Sequence, residues 1–360
     1  MKKSSLLSVV ALPAAAAFLL AGCSSGGGGA APSEGGGGGE GEAGRACVIL
    51  PDAASSPRWE NFDAKYLQEG LEGAGFDVDI QNALGDVNKY STIADQQLAQ
   101  GCGVMLLVDY QGAAEAVAAK AKTEGIPVIA YDRPFEGADY YVSFDNEEVG
   151  RLQGQTVLDG LEAKGVAPAD AVVVYMGGDP TDGNAKMFKD GAVEVMEAAG
   201  ITPAAEPPGV WDQAKSQTNF EQALTGLGGQ VDGVWVANDT NAAGVIKVLQ
   251  DNNLQGVAVS GQDANVAGLQ NILLGWQTAT VWKQVNLEAE AAVATAVALL
   301  NGETPDADAE LEDGTPYIQV APTLVGKDGV KDVVAAGDAA YDDVCTPEVM
   351  AACEENGVTG

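Results

Sequence analysis

The chain has 360 residues, 46% of them hydrophobic, which is enough to bury the core of a folded domain. Its 52 Asp and Glu against 18 Lys and Arg give a formal net charge of −34, a field that repels nucleic-acid phosphates, so no nucleic-acid partner is expected. The chain has no histidine, which excludes serine–histidine and cysteine–histidine catalysis.

The N-terminus has the pattern of a secretion signal. Lys2 and Lys3 follow the first methionine, an apolar run spans residues 6–20, and the small residues Ala21 and Gly22 come after it. A transmembrane anchor is the weaker alternative, because the run is short and a long polar tract follows it. The letters LAGC at 20–23 resemble a bacterial lipobox, which implies a signal peptide over 1–22 and a lipid on the sulfur of Cys23.

Residues 23–44 consist almost entirely of Gly, Ser, Ala, Pro and Glu. Such a composition cannot bury enough apolar surface to offset the entropy lost on ordering. This stretch is therefore predicted to be a tether, and the protein is expected outside the cytoplasm, held to the cell membrane by its lipid.

Four cysteines remain when Cys23 is set aside, and in an oxidising compartment an even number favours disulfides, with three pairings open. Cys47 and Cys102 each lie beside an apolar strand, whereas Cys345 and Cys353 lie close together near the C-terminus. We favour the pairs Cys47–Cys102 and Cys345–Cys353, with buried free thiols as the alternative. No C-x-x-C pair supports a metal site, and no cofactor is expected.

From residue 46 onward, short apolar runs alternate with longer helical patterns. The runs show little period-two alternation, as expected for parallel strands covered by helices on both faces. Predicted strands fall at 46–50, 76–80, 104–108, 126–131, 171–176, 232–237, 256–260 and 278–282, and predicted helices near 59–66, 93–100, 113–123, 149–163, 191–199, 242–250 and 287–300.

This order predicts an α/β protein with doubly wound parallel sheets. The strands are too many for one compact lobe, and a second set begins near residue 171. The alanine-rich helix at 287–300 suggests that the chain returns to the first lobe late.

Ligands bind beyond the carboxyl ends of strands in open parallel sheets, so the polar residues that follow each apolar run are the candidate site. They are Arg58, Trp59, Asp132, Arg133, Asp182, Asn184, Asn238, Asp239, Gln262, Asp263 and Lys283, with Trp211 as a second aromatic. Any single Asp or Asn among them has an alternative role as a helix cap, and Trp59 shares a face with Phe62 and Tyr66 and so has a core alternative.

This mixture of side chains suits a sugar. Each hydroxyl both donates and accepts, so carboxylates, amides and guanidinium groups can all bond it, and the C–H faces of the ring pack on indole. Among the remaining motifs, GGDPTDGN lacks a nucleotide-binding pattern, and the acidic residues 306–313 lack calcium-loop spacing and are predicted to be solvated surface.

Several strings over residues 46–335 resemble the periplasmic sugar-binding proteins of the type I fold, and among them the xylose-binding and multiple-monosaccharide-binding families. They are SSPRW, IPVIAYDR, YYVSFDNEEVG, MGGDPTDGNAKMFKDG, VANDTNAAG, SGQDANVAG and QTATVWK. A LacI-type repressor core shares this fold, but the secretion signal, the acidic charge and the missing DNA-binding segment argue against it.

The resemblance implies two doubly wound lobes joined by a three-crossing hinge, with crossings near 148, 282 and 315. The N-terminal lobe would comprise 45–148 and 283–314, and the C-terminal lobe 149–282 and 315–360. The resemblance also adds Asn146, on the first crossing, to the sugar site. It implies a monomer that closes over a monosaccharide and delivers it to the permease of an ABC importer.

Three alternatives stay open from the sequence. Xylose-binding proteins usually have a double asparagine where this chain has Gly183-Asn184, and the segment around Trp211 looks more like the multiple-sugar binders, so xylose, glucose, arabinose and galactose all remain candidates. The protein could report sugar to a chemoreceptor or histidine kinase instead of an importer. A glycosidase built on paired carboxylates is the disfavoured enzyme alternative.

Overall fold

The computed structural model describes residues 44–360. The predicted signal peptide, the lipidation site at Cys23 and the tether up to residue 43 lie outside these residues. No helix between residues 44 and 360 is both long enough and apolar enough to cross a membrane.

Twelve strands form within the described residues. In chain order they are β1 Arg45–Leu50, β2 Asp77–Asn82, β3 Val104–Leu107, β4 Val128–Tyr131, β5 Tyr140–Phe144, β6 Val173–Met176, β7 Gly233–Val236, β8 Ala258–Val259, β9 Thr280–Trp282, β10 Ala309–Glu310, β11 Pro316–Val320 and β12 Thr323–Val325.

Twelve α-helices connect or follow these strands in the same part of the chain. They are α1 Ala64–Gly73, α2 Val87–Gln100, α3 Ala113–Glu124, α4 Asn146–Lys164, α5 Gly183–Ala198, α6 Gln213–Gly226, α7 Asp239–Asp251, α8 Val266–Leu274, α9 Val285–Leu300, α10 Val330–Ala336, α11 Tyr341–Val344 and α12 Met350–Glu355. A π-helical turn, Trp59–Asp63, leads into α1, and short 3₁₀ turns lie at Pro168–Asp170 and Lys327–Gly329.

The first lobe is built on a seven-stranded sheet in the order β10-β11-β5-β4-β3-β1-β2, parallel throughout except for the edge pair β10–β11. Its strands β1, β3, β4 and β5 are buried on both faces. In β1, Cys47 and Ile49 pack toward α2 and α3, whereas Val48 and Leu50 pack toward α1 and α9. Burial on both faces explains the unbroken apolar runs of the sequence.

The second lobe contains the parallel sheet β6-β7-β8 and the antiparallel pair β9–β12, connected by a bridge between Gln262 and Val281. Helices α4 and α5 cover one face of β6–β7, and α6 and α7 cover the other. The C-terminal helices pack on α8 in a separate small core. The α/β architecture with parallel sheets is therefore as predicted.

Both expected cysteine pairs are disulfide-bonded. Cys47 of β1 joins Cys102, just before β3, with a Cα–Cα distance of 5.8 Å, and Cys345 joins Cys353 at 6.0 Å. The first bond connects two segments of the same sheet, and the second closes the C-terminal helices on each other.

The last crossing differs from the prediction. The proposed lobe boundary at 314/315 falls just before β11, yet β11 pairs with β5 in the first sheet, and the chain reaches the second lobe only at β12. The difference arises because β10 has only two residues and the apolar run of β11 is short and interrupted by Gln319, so neither was predicted as a strand. The first crossing lies at the start of α4, where Asp145 caps the helix by accepting a hydrogen bond from the backbone N–H of Glu148.

Candidate ligand-binding site

A small cavity lies where the carboxyl ends of both sheets meet, as expected for parallel sheets. Fourteen residues from the two lobes and the hinge line it: Ser55, Ser56, Arg58, Trp59, Asp132, Arg133, Asp182, Asn184, Phe188, Trp211, Asn238, Gln262, Asp263 and Lys283. Eleven of these belong to the thirteen residues predicted from sequence.

Arg58 is enclosed by carboxylates. Its Nε and Nη2 donate to both oxygens of Asp63, at 2.9 and 2.6 Å, and Nη2 also donates to Glu288. Its Nη1 donates to Asp132 at 2.9 Å. Burial disfavours the guanidinium charge, but the charges of Asp63, Glu288 and Asp132 outweigh it and raise the Arg58 pKa well above its ordinary value.

Asp132 is the carboxylate of the first lobe that contacts both Arg58 and Lys283 in the cavity wall. Burial alone would raise its pKa, but Lys283, Arg58 and Arg133 together lower that pKa to about 2, so the group is ionised at any physiological pH. Its φ of +62° lies in the left-handed region, which Asp tolerates better than most residues. Asp263 across the cavity also has a positive φ, +93°, and such outliers cluster at functional sites.

Arg133 and Trp59, also in the first lobe, pack against each other in the cavity wall. The guanidinium of Arg133 lies 5.4 Å from the centre of the Trp59 ring, and that of Arg58 lies 4.6 Å from it. The indole N–H donates to Ser55 Oγ at 3.0 Å. Trp59 is only 2% exposed and packs in a core cluster of the first lobe, and it also lines the cavity.

The second lobe contributes Asp182, which caps α5 by accepting from the backbone N–H of Asn184. The same carboxylate accepts from Trp211 Nε1 at 3.0 Å and pairs with Arg133 Nε at 3.1 Å across the cleft. The Trp211 ring lies directly on Gly178, where an added Cβ would be 2.1 Å from Trp211 Cζ2. Gly178 of GGDPTDGN thus leaves the space that the indole of Trp211 occupies.

Asn238 and Gln262 contribute amides. Asn238 caps α7 through Oδ1 while its Nδ2 donates across the cleft to the backbone carbonyl of Ser55 at 3.3 Å. Gln262 Oε1 is buried and has no hydrogen-bond partner among the described residues. A buried acceptor of this kind leaves a bond for a donor from a ligand to make.

Lys283 follows β9 at the second crossing and is 5% exposed. Its Nζ lies 3.4 Å from Asp132 Oδ2 and packs over the rings of Phe144 and Phe188. Burial raises the pKa of the nearby Asp263 carboxyl, while Lys283 and Arg58 oppose that rise.

Two predicted residues do not reach the cavity, and the structure corrects both. Asp239 is turned inward, where its carboxylate accepts from Gln277, Thr280 and the backbone N–H of Asn265. Asn146 is fully buried behind the site, and its Nδ2 donates to Asn184 Oδ1 at 3.0 Å. Asp239 is wrongly placed because consecutive residues at a helix start point in different directions, and Asn238 takes the cavity position.

Sequence reasoning missed three residues of the lining. Ser55 and Ser56 stand in the SSPRW string, but only Arg58 and Trp59 were taken from it. Phe188 comes one turn into α5 and packs edge-on against Trp211 at 6.5 Å between ring centres. Its spacing of four residues from Asn184, which places both on one helix face, was the available signal.

A second, larger cavity adjoins the first. It has a volume of about 440 Å³ against about 30 Å³ for the inner one, and the two share Ser55, Arg133, Asp182 and Trp211 in their walls. The Arg133–Asp182 ion pair therefore lies at the boundary between the two cavities.

The site offers paired donors and acceptors and two indole rings. Within residues 44–360 no cluster of three metal-binding side chains forms. Two lobes joined by three crossings around a polar cavity are the arrangement of a protein that binds a small solute.

Comparison with known proteins agrees with this class. A family model described as a periplasmic binding protein domain matches residues 47–304. The chain belongs to this family of periplasmic binding proteins, as its sequence motifs predicted, and it is a solute-binding protein rather than an enzyme.

Individual relatives are similar over most of the chain. The D-xylose-binding periplasmic protein of Escherichia coli K12 is 35% identical over 289 residues, covering 77% of this chain and 85% of that protein. A multiple sugar-binding periplasmic receptor of Rhizobium radiobacter is 28% identical over 329 residues, covering 82% and 90%. An ABC transporter solute-binding protein of Clostridium phytofermentans with bound β-D-glucose superposes with a TM-score of 0.74 at 26% identity, covering 83% and 99%.

Proposed function

We propose that this protein is an extracytoplasmic receptor that captures a monosaccharide between its lobes and delivers it to an ABC importer. The observation that carries the proposal is the convergence of carboxylates, amides and cations from both lobes on one buried cavity. A sugar hydroxyl can use each of them, and a hydrogen bond to a charged group contributes about 1.5–3 kcal/mol. The names of the sugar-binding relatives support the same ligand class.

D-Xylose is the first candidate, because a D-xylose-binding protein is 35% identical to this chain. The second candidate is a set of several monosaccharides, favoured by Gly183-Asn184 and by the similarity to the multiple sugar-binding receptor. Both candidates use the same proposed contacts: Arg58, Asp132, Arg133, Asp182, Asn184, Asn238, Gln262, Asp263 and Lys283 for hydroxyls, and Trp59 and Trp211 for the ring faces.

The proposed mechanism is closure of the two lobes on the sugar. The inner cavity of about 30 Å³ has room for a couple of water molecules and not for a sugar ring. A sugar must therefore enter while the Arg133–Asp182 pair is parted, which joins the inner cavity to the outer one. Contacts from both lobes then shift the population toward the closed form, which the transporter recognises.

Delivery to an importer requires the receptor to stay near the membrane. The lipobox at Cys23 and the Gly-rich tether would hold a monomeric receptor there, at the cell surface or in the periplasm. A Cys23→Ala variant should move from the membrane fraction to the soluble fraction, whereas membrane retention of that variant would contradict anchoring at this residue.

A thermal-shift screen of residues 45–360 against xylose, glucose, arabinose, galactose and ribose tests the ligand assignment, because binding to the native state alone raises the melting temperature. A shift with xylose only identifies a dedicated xylose receptor. Comparable shifts with several sugars identify the multiple-sugar candidate, and no shift with any of the five contradicts the proposal.

A further inference from the structure

We propose that the cavity takes uncharged sugars and rejects sugar acids, and that the negative charge of Asp132 determines this choice. The inference rests on the proposed function and narrows it to a class of ligand. Its basis is that the three cations of the cavity are already paired with carboxylates of the protein.

Arg58 has five N–H groups, and four of them are used by protein carboxylates. Asp63 accepts two, Glu288 accepts one and Asp132 accepts one, so a single N–H on Nη1 remains. Asp63 and Glu288 are fully buried and lie outside the cavity wall. Arg58 can therefore donate to a hydroxyl, but it has no free pair of N–H groups for a carboxylate of the ligand.

The other two cations are also committed. Arg133 donates from Nε toward Asp182, from Nη2 to Ser55 Oγ at 2.9 Å and from Nη1 to the backbone carbonyl of Asp109 at 3.2 Å. Lys283 pairs with Asp132 at 3.4 Å. Each of these cations is at most 7% exposed, so solvent does little to weaken the pairing.

The carboxylates around the cavity are therefore at least as many as the cations. Three of each line the cavity, and a further carboxylate, Asp63, lies directly behind Arg58. A sugar hydroxyl can bond to either partner of an ion pair without disturbing its charge balance. A sugar carboxylate would instead lose its hydration and meet buried negative charge, which is unfavourable unless a free cation is available.

Asp132 is the position where this balance can be changed. Its carboxylate contacts both Arg58 and Lys283, and its pKa of about 2 keeps it ionised. Asn in its place has the same shape, keeps an oxygen that accepts hydrogen bonds and tolerates the positive φ. Asp132→Asn therefore removes one negative charge beside Lys283 and Arg58 and leaves Lys283 without its carboxylate partner, while the shape of the side chain is kept.

The test uses calorimetric titration of the full chain with D-glucuronate and D-glucuronamide, which differ in charge but hardly in shape, with D-xylose titrated alongside. We expect the wild-type protein to bind D-glucuronamide at least tenfold more tightly than D-glucuronate. In Asp132→Asn we expect that ratio to fall at least tenfold, because glucuronate gains affinity while the neutral ligands lose it. The exposed neighbour Glu136 provides the control: Glu136→Gln removes one unit of charge outside the cavity and should reproduce the wild-type ratio.

Equal wild-type affinity for the two ligands would overturn the inference, as would a ratio that Asp132→Asn leaves unchanged in a variant whose melting profile shows it folded. Binding of D-xylose with no binding of either glucose derivative would assign the exclusion to shape and overturn it too. None of these outcomes would contradict the proposed function as a sugar receptor. Absence of binding by any sugar would refute the proposed function and this inference together.

Discussion

At the scale of single residues, two neighbouring strand-end carboxylates have different surroundings. Asp263 lines the cavity, whereas Asp239 is enclosed by Gln277, Thr280 and backbone, and an added Cβ at Gly268 would lie 2.3 Å from its Oδ2. The first is placed to bind a ligand, and the second holds the β8–β9 region together.

Asp263→Asn should therefore weaken sugar binding about tenfold or more, because a charge-assisted hydrogen bond is lost. Asp239→Asn should keep wild-type affinity. Gln277 has a buried, unpartnered Oε1 and can turn its amide to accept from the new Nδ2. Calorimetry on the two variants checks the pair, and loss of binding in Asp239→Asn alone would contradict the assignment.

The pH dependence of stability offers a second test of Asp239. Burial raises the pKa of its carboxyl to about 8, against the hydrogen bond from Gln277 that lowers it. The folded state then holds a proton that the unfolded chain releases near pH 4, so the free energy of unfolding falls as pH rises from about 4 to about 8.

Asp239→Asn should flatten that decline by an amount on the order of a few kcal/mol. Urea unfolding of both proteins at several pH values measures it. Burial also raises the pKa of Glu288 to about 8, so part of the decline persists in the variant, and the difference between the two curves is the relevant quantity. Parallel curves would show that Asp239 is ionised in the folded protein.

Residue identity was predictable where a side chain directly follows a buried strand. Asp132, Arg133, Gln262, Asp263 and Lys283 were all found in this way and all line the cavity. The direction in which each side chain points was not predictable, because its position after a strand does not determine its rotamer. For that reason Asp239 was predicted in the cavity, which it does not line. Ser55 was missed because its contacts with Arg133 and Trp59 depend on tertiary packing.

At the scale of elements, the two disulfides close loops of very different length. Cys47 and Cys102 are 55 residues apart, and Cys345 and Cys353 are 8 apart. The loop-entropy model gives about 4 kcal/mol for the first and about 2.5 kcal/mol for the second. All four cysteines are buried, so the packing losses on mutation are comparable.

Replacing Cys47 and Cys102 by Ala should therefore lower the free energy of unfolding by more than replacing Cys345 and Cys353. Urea denaturation of the two double variants gives the comparison. A larger loss from the C-terminal pair would mean that the small core on α8 depends on its crosslink more than loop entropy implies.

The sequence predicts eight of the strands and seven of the α-helices, because those strands are apolar runs and those helices show helical periodicity. Helices α6, α8, α10, α11 and α12 were not predicted. The strands β10, β11 and β12 were missed because they are short and mostly half-exposed, and β5 was noticed only as part of a family motif. The lobe boundary predicted at 314/315 therefore falls before β11 instead of after it.

At the scale of the whole molecule, bonds across the cleft hold the lobes together. Arg133 pairs with Asp182, and Asn238 donates to the Ser55 carbonyl. Asn184 of α5 donates to the Asp132 carbonyl at 2.7 Å. These contacts join the lobes through side chains that also line the cavity. Two-lobed architecture could be predicted from the order of strands, but these pairings depend on how the lobes approach each other.

The most direct test of the account is calorimetric titration of the wild-type protein with D-xylose, glucose, arabinose, galactose and ribose. The account predicts saturable binding of at least one of them at one site per chain, with a dissociation constant of about 1 μM or lower, equivalent to about −8 kcal/mol. Absence of binding by all five sugars to folded protein would contradict the central claim that the cavity is a monosaccharide site.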